Sequence, residues 1–114
     1  MPAAYTPPMR LTDKQRSTLV DAARRHFGSG ARLWVFGSRT DDTARGGDFD
    51  LMVWCDEASA ENLFEAKLAM LADLHHTPEF DSERIDVVLF SPRLDAVARP
   101  VQRAAMEQGV ELAL

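Results

Sequence analysis

Three short apolar runs, each bounded by polar or turn-forming residues, limit what this chain can fold into. RLWVF begins at residue 32, FDLMVWC at residue 49 and RIDVVLF at residue 84. Runs of five to seven residues are too short for ordinary buried helices, and their Val, Phe and Trp content is typical of buried strands. The sequence therefore predicts a small sheet built from these three segments.

Two helical patterns precede and separate these strands. TDKQ at residues 12–15 is a capping box, which predicts that the first helix covers Asp13–Phe27. One face of that helix is apolar, through Leu19, Val20, Ala23 and Phe27. A second helix is predicted over about residues 60–76, where apolar residues recur at helical spacing and indicate a buried face: Phe64, Leu68, Leu71 and Leu74.

A short final helix is framed by Pro100 at its start and Gly109 just past its end. Its inward side is predicted to carry Val101, Ala104 and Ala105. The element order αββαβα implies the α+β class, with a small mixed β-sheet and helices packed on it. The 114 residues suit one domain. Residues 1–10 are predicted to be a disordered lead-in, and residues 11–114 to form the domain.

Composition excludes several functional classes. The net charge of −5 argues against direct nucleic-acid binding, which needs clustered Lys and Arg to neutralise phosphates. No apolar run approaches the roughly 20 residues of a membrane span, and the single Cys55 cannot form an intramolecular disulfide. We therefore expect a soluble cytoplasmic protein whose ligand is a small charged molecule or a protein partner, without a membrane partner.

Polar residues at the ends of the first two strands suggest phosphate and metal chemistry. Gly37 and Ser38 follow the first strand, where a residue without a side chain lets phosphate oxygens approach backbone amides. Asp48 and Asp50 stand two residues apart, a spacing that puts both carboxylates on one face of a strand, with Phe49 pointing into the core. Their repulsion is most readily relieved by Mg²⁺. The alternative interpretation is a solvated acidic turn.

A third carboxylate, Asp86, lies inside the apolar run of the third strand, where an unpaired ionised group is costly to bury. If the third strand lies beside the second, Asp86 completes a three-carboxylate cluster of the kind that holds two metal ions for phosphoryl displacement. The alternative is a salt bridge from Asp86 to Arg84 or Arg32.

Together these motifs resemble the nucleotidyltransferase superfamily of DNA polymerase beta in its minimal form, over about residues 33–90. FGSR at 36–39 and GGDFDL at 46–51 are similar to segments of prokaryotic minimal nucleotidyltransferases. RPVQRAAMEQGVEL at 99–112 resembles their antitoxin branch. The resemblance implies a polymerase-beta-like nucleotidyltransferase fold.

The activity implied by this resemblance is transfer of AMP from ATP to a hydroxyl, with pyrophosphate released and Mg²⁺ required. Gly37, Ser38 and Arg39 would hold the phosphates. Two Mg²⁺ ions would be held by Asp48, Asp50 and Asp86. Asp86 would also serve as general base toward the attacking hydroxyl.

The acceptor is expected to come from another chain. Superfamily members that modify antibiotics or tRNA carry a second domain for the acceptor, and only about 24 residues follow the third strand here. Minimal nucleotidyltransferases pair instead with a helical HEPN protein, often an RNase toxin, which some of them neutralise by adenylylating a tyrosine. Three alternatives stay open: a small-molecule nucleotidyltransferase completed by dimerisation, a neutralising partner without catalysis, and a structural α+β domain.

Overall fold

The computed structural model describes residues 11–36, 48–80, 84–95 and 98–114, and these residues form three helices and four strands. In chain order the elements are α1 (Asp13–Phe27), β1 (Arg32–Phe36), β2 (Asp48–Trp54), α2 (Ala60–His75), β3 (Arg84–Phe90), α3 (Pro100–Gln108) and β4 (Val110–Leu112). The α+β class is confirmed. The predicted lead-in at residues 1–10 lies outside the described residues.

One mixed sheet, with strand order β3-β2-β1-β4, organises the fold. β1 pairs antiparallel with both β2 and β4. β2 and β3 pair in parallel, and α2 makes the crossover connection that a parallel pair requires. The predicted mixed sheet is therefore confirmed, but the predicted order αββαβα was incomplete because it lacked β4.

Helix α1 has the bounds that its capping box predicts. The Thr12 hydroxyl oxygen accepts a hydrogen bond from the Gln15 backbone N–H at 3.0 Å, and the Gln15 side-chain oxygen accepts from the Thr12 N–H at 3.0 Å. These two bonds satisfy amides that have no partner inside the helix. Leu19 and Ala23 are buried as predicted, and Val20 and Phe27 pack at the edge of the core.

Helix α2 buries a different stripe from the one its apolar spacing predicted. Its buried residues are Leu63, Met70 and Leu74, whereas the side chains of Phe64 and Leu68 are 55% and 49% exposed. The prediction was wrong for these two residues because α2 is apolar around much of its circumference. The period alone therefore could not choose which stripe faces the sheet.

Helix α3 also turns a different side inward. Val101, predicted to point inward, is 47% exposed, while Gln102 and Ala105 are buried. Gln102 tolerates burial because its Nε2 donates to the Leu89 carbonyl at 2.8 Å and its Oε1 accepts from the Arg99 N–H at 2.7 Å. This amide ties α3 to the edge strand β3.

Helices cover both faces of the sheet. On one face, α1 and α2 pack on the larger core, where the Phe49 ring meets Phe80 edge-on at 4.9 Å between centroids. On the other face, α3 packs through Ala105 on a smaller cluster that includes Trp34 and Met52. Strand alternation divides the side chains of β2 between these two layers.

The turn from α3 into β4 depends on a close backbone approach at Gly109. A Cβ added there would lie 2.5 Å from the Ala105 carbonyl oxygen and 2.8 Å from the Val35 carbonyl oxygen. Gly109→Ala should therefore lower the free energy of unfolding by about 1–3 kcal/mol, the usual cost of overpacking. Urea denaturation measures this change. The control is Gly30→Ala, where an added Cβ meets nothing within 4 Å. This change should shift the free energy of unfolding by no more than about 0.5 kcal/mol.

A charged cluster at the ends of the two helices joins α1 to α2. The Asp73 carboxylate accepts a hydrogen bond from His26 Nε2 at 3.0 Å and another from the Arg25 guanidinium. The hydrogen bond with His26 is the largest cause, and the positive charge of Arg25 a further one, of a lowered pKa of Asp73. A carboxyl whose pKa is lowered by folding stabilises the fold above its ordinary pKa and loses that effect as the pH falls through the folded value.

Asp73→Asn should accordingly lower the thermal midpoint at pH 7, and its difference from wild type should shrink as the pH falls through and below the ordinary carboxyl pKa of 3.8. Thermal melts followed by circular dichroism between pH 7 and pH 2 would show the trend. Glu107→Gln, at an exposed carboxylate of α3, is the matched control. A difference independent of pH would mean that the charge of Asp73 plays no part.

Candidate functional site

The parallel pairing of β2 with β3 brings two of the predicted carboxylates together. Asp50 and Asp86 occupy the same register position on the neighbouring strands, and strands in a sheet lie about 4.8 Å apart. In-register residues project to the same face. Their sequence neighbours Phe49, Ile85 and Val87 are buried in the larger core, so both carboxylates lie on the opposite face, the one that α3 covers.

The end of β1 adjoins this pair. Phe36, the last residue of β1, pairs with Asp50 on the side away from Asp86. Gly37 is the next residue in the sequence. The predicted phosphate ligands Gly37, Ser38 and Arg39 lie outside the described residues, so their contribution to the site stays a prediction.

Asp48, the third predicted metal ligand, begins β2, and its backbone lies in register with Arg84 of β3. Its side chain lies outside what the structure describes. Among the described side chains, no group of three His, Cys, Asp or Glu residues is arranged to hold a metal ion. The part of the predicted cluster that can be placed is therefore the pair Asp50 and Asp86.

The two carboxylates differ in solvent access. Asp50 is half-buried and Asp86 is exposed. Asp86 is exposed within an apolar run because β3 is an edge strand and only alternate residues of its first half face the core. An exposed carboxylate can be reached by a hydrated cation.

One of the two alternative partners for Asp86 is excluded. Arg32 forms two hydrogen bonds with the Glu111 carboxylate, at 2.9 and 3.0 Å, and its guanidinium lies 4.8 Å from the centre of the Trp34 ring. Arg32 begins β1 and pairs with Trp54, so it stands at the far end of that strand from Asp50. Arg84 is exposed on β3, two residues before Asp86.

Sequence reasoning gave Arg84 no functional role. In register it stands beside Asp48, and by strand alternation it shares a face with Asp86. A cation in this position suits the phosphates of a bound nucleotide as well as the carboxylates themselves. The signal in the sequence was the spacing of Arg84 and Asp86, two residues apart on a predicted strand.

Cys55 lies outside this site, just past the end of β2 that is far from Asp50. Burial is the main cause of its raised pKa, and the charges of Glu57 and Asp56 raise it further. Its Sγ donates to the Phe27 carbonyl at 3.7 Å. A thiol with a raised pKa forms little thiolate, which is the reactive form.

Comparison of the sequence with protein-family models finds no match, and comparison with curated proteins finds none either. None of the helices in the described ranges is both long and apolar enough to cross a membrane.

The pair can supply what a hard divalent cation requires. Two carboxylates on neighbouring strands repel each other when both are ionised, and Mg²⁺ prefers carboxylate oxygens together with water. Asp50 and Asp86 therefore fit Mg²⁺ by the chemistry of their donor atoms and by their shared face.

Mg²⁺ should raise the thermal midpoint of the wild-type chain. At free Mg²⁺ about tenfold above Kd, linkage gives about 1.4 kcal/mol of stabilisation. Asp50→Asn and Asp86→Asn should each remove most of this increment, whereas Glu107→Gln should retain it. Differential scanning fluorimetry with and without Mg²⁺ measures the effect, and an equal increment in all four proteins would exclude the carboxylate pair as the metal site.

Proposed function

We propose that this chain is a Mg²⁺-dependent nucleotidyltransferase that moves AMP from ATP to a hydroxyl group of a partner protein. The observation that carries the proposal is the register of the parallel strands, which makes Asp50 and Asp86 neighbours on one face. The motif resemblance supplies the reaction class, since two carboxylates alone would suit several metal-dependent reactions.

The described residues suit particular roles in this reaction. Asp50 and Asp86 would hold Mg²⁺, with Asp48 as the third predicted ligand and a second ion in the same cluster. When bound, Mg²⁺ would neutralise phosphate charge. Gly37, Ser38 and Arg39 are proposed to hold the β- and γ-phosphates. Arg84 is exposed and stands in register beside Asp48, so it would add positive charge next to the proposed metal ligands.

The proposed step forms one bond and breaks one. The acceptor oxygen attacks the α-phosphorus of ATP, the bond from that phosphorus to the bridging oxygen breaks, and pyrophosphate leaves. Asp86 accepts the proton of the acceptor hydroxyl, a role that suits a carboxylate exposed to an incoming acceptor. The protein's main contribution is to hold the reacting groups in line.

The proposed acceptor is a tyrosine of a cognate HEPN toxin, and the chain acts as the antitoxin in the cytoplasm, where ATP and Mg²⁺ are present. This part of the proposal rests on the resemblance of residues 99–112 to the antitoxin branch. The segment spans α3 and β4, and α3 covers the sheet face that carries Asp50 and Asp86. AMP on a residue near an RNase site would add bulk and negative charge where RNA phosphates must approach.

The test is co-expression of the wild-type chain with the proposed HEPN toxin, followed by intact-mass spectrometry of the toxin. We expect the toxin to gain the mass of one AMP and cells to survive. The Asp48→Asn, Asp50→Asn double variant should abolish the mass gain, and Asp86→Asn should reduce it by at least about a hundredfold if that residue is the base.

The Asp21→Asn variant, which changes an exposed carboxylate of α1 on the opposite side of the sheet, is the matched control and should transfer AMP at the wild-type rate. If the double variant protects cells as well as wild type and the toxin never gains mass, neutralisation occurs by binding alone and the enzymatic proposal fails.

A further inference from the structure

Helix α2 carries a second apolar stripe, and this one faces solvent. We define the α2 stripe as Phe64, Leu68, Leu71 and His75, which follow one another at intervals of four, three and four residues. Phe64 and Leu68 are 55% and 49% exposed, Leu71 is half-buried and His75 is exposed. Two large exposed apolar side chains one turn apart form a patch rather than isolated surface residues.

The patch continues into a groove beside α2. The groove has a volume of about 550 Å³ and is bordered by α2, the end of β3, the turn after it and the start of α3. Leu63 and Leu89 line it together with the exposed side chains of Phe64 and Leu94. Arg99 and Gln102 also line it, and Val101, 47% exposed, lies between them in sequence.

The spacing of the α2 stripe fits a helix as its occupant. Intervals of four and three residues keep one line of side chains facing a neighbouring helix, and side chains at these positions pack between those of the partner. The groove beside Phe64 gives room for one larger apolar side chain of the partner. A β-strand would not match this period.

The charges beside the α2 stripe indicate which side-chain charges a helix that binds there would carry. Glu61 and Glu65 are exposed along one flank, and neither forms an ion pair within the part of the chain that the structure describes. Lys67 lies on the other flank and is half-buried. The Asp95 and Arg99 side chains of the groove face each other at 3.9 Å, so the flank of Glu61 and Glu65 is the side of the stripe that carries uncompensated negative charge.

A second copy of the chain matches this surface less well. In a two-fold pairing centred on the stripe with the two α2 helices antiparallel, Glu61 and Glu65 of one copy would lie opposite residues 74–78 of the other, a segment without Lys or Arg. The net charge of −5 on each copy adds repulsion. A helix with Lys or Arg beside its apolar residues would instead pair with both carboxylates.

We propose that the α2 stripe and its groove are the docking surface for an amphipathic helix of a different protein, with apolar residues at intervals of three and four and basic residues on the flank that meets Glu61 and Glu65. The surface uses no residue of the carboxylate pair. The proposal therefore stands or falls separately from the nucleotidyltransferase activity.

The probe is a synthetic helical peptide of about three heptads, with Leu at the two apolar positions of each heptad, Lys on one flank and Gln on the other. A matched peptide has Glu in place of every Lys. Fluorescence anisotropy with labelled peptide, at concentrations where the peptide itself is monomeric, measures its affinity for the full chain. Analytical ultracentrifugation of the chain alone gives its oligomeric state.

We expect the Lys peptide to bind at least tenfold more tightly than the Glu peptide, and added salt to reduce the difference. Leu68→Glu should weaken binding at least tenfold. Gln108→Glu, which adds the same charge at an exposed position at the end of α3 that does not line the groove, should change it less than twofold. The Glu61→Lys, Glu65→Lys double variant should reverse the preference between the two peptides. Circular dichroism checks that each variant is folded.

Three outcomes would overturn the proposal. Equal binding of the Lys peptide to wild type and Leu68→Glu would mean that the stripe is not the surface. An unchanged peptide preference in the double variant would mean that the acidic flank does not select the partner. A wild-type dimer that Leu68→Glu dissociates would assign the surface to a second copy of this chain.

Discussion

The parallel pairing of β2 with β3 is the interaction on which the rest of the structure depends. It requires a crossover connection, which α2 provides, and it places Leu51 beside Val87 in the larger core. The side-chain period of a strand is two, so a slip of one residue would turn Ile85 and Val87 to the outer face and Asp86 into the core. An ionised carboxylate there would be far less stable than an exposed one. The apolar pattern therefore excludes a one-residue slip, and the observed register makes Asp50 and Asp86 neighbours.

The elements with strong local signals were predictable from the sequence. The capping box at Thr12 gives the start of α1, and β3 has the bounds of its apolar run, Arg84–Phe90. Strand β4 was not predictable in this way because three residues carry no period. Its pairing with β1 depends on the approach of Gly109 to Val35, which is a contact between segments far apart in sequence.

The faces of α2 and α3 were less predictable than their positions. Both helices offer more than one apolar stripe, and the choice depends on packing against the whole sheet. In α3 the buried stripe includes a polar residue, Gln102, because the Leu89 carbonyl on the edge strand accepts a hydrogen bond from its side-chain amide. Hydrophobicity alone would place Val101 inward instead. In α2 the apolar stripe that does not face the core includes Phe64 and Leu68, and these side chains stay exposed. The two residues that the apolar spacing wrongly placed in the core therefore belong to a candidate interaction surface.

Part of the candidate site is local in sequence, and part of it exists only in the folded chain. The spacing of Asp48 and Asp50 is local, whereas the position of Asp86 became meaningful only when β3 was found beside β2. The structure adds that Asp86 is an exposed carboxylate beside the half-buried Asp50. The fold gains no core contact from such a side chain. A substitution at Asp86 therefore tests metal and nucleotide chemistry with little effect on the packing of β3, and the carboxylate pair and the α2 stripe can be altered independently.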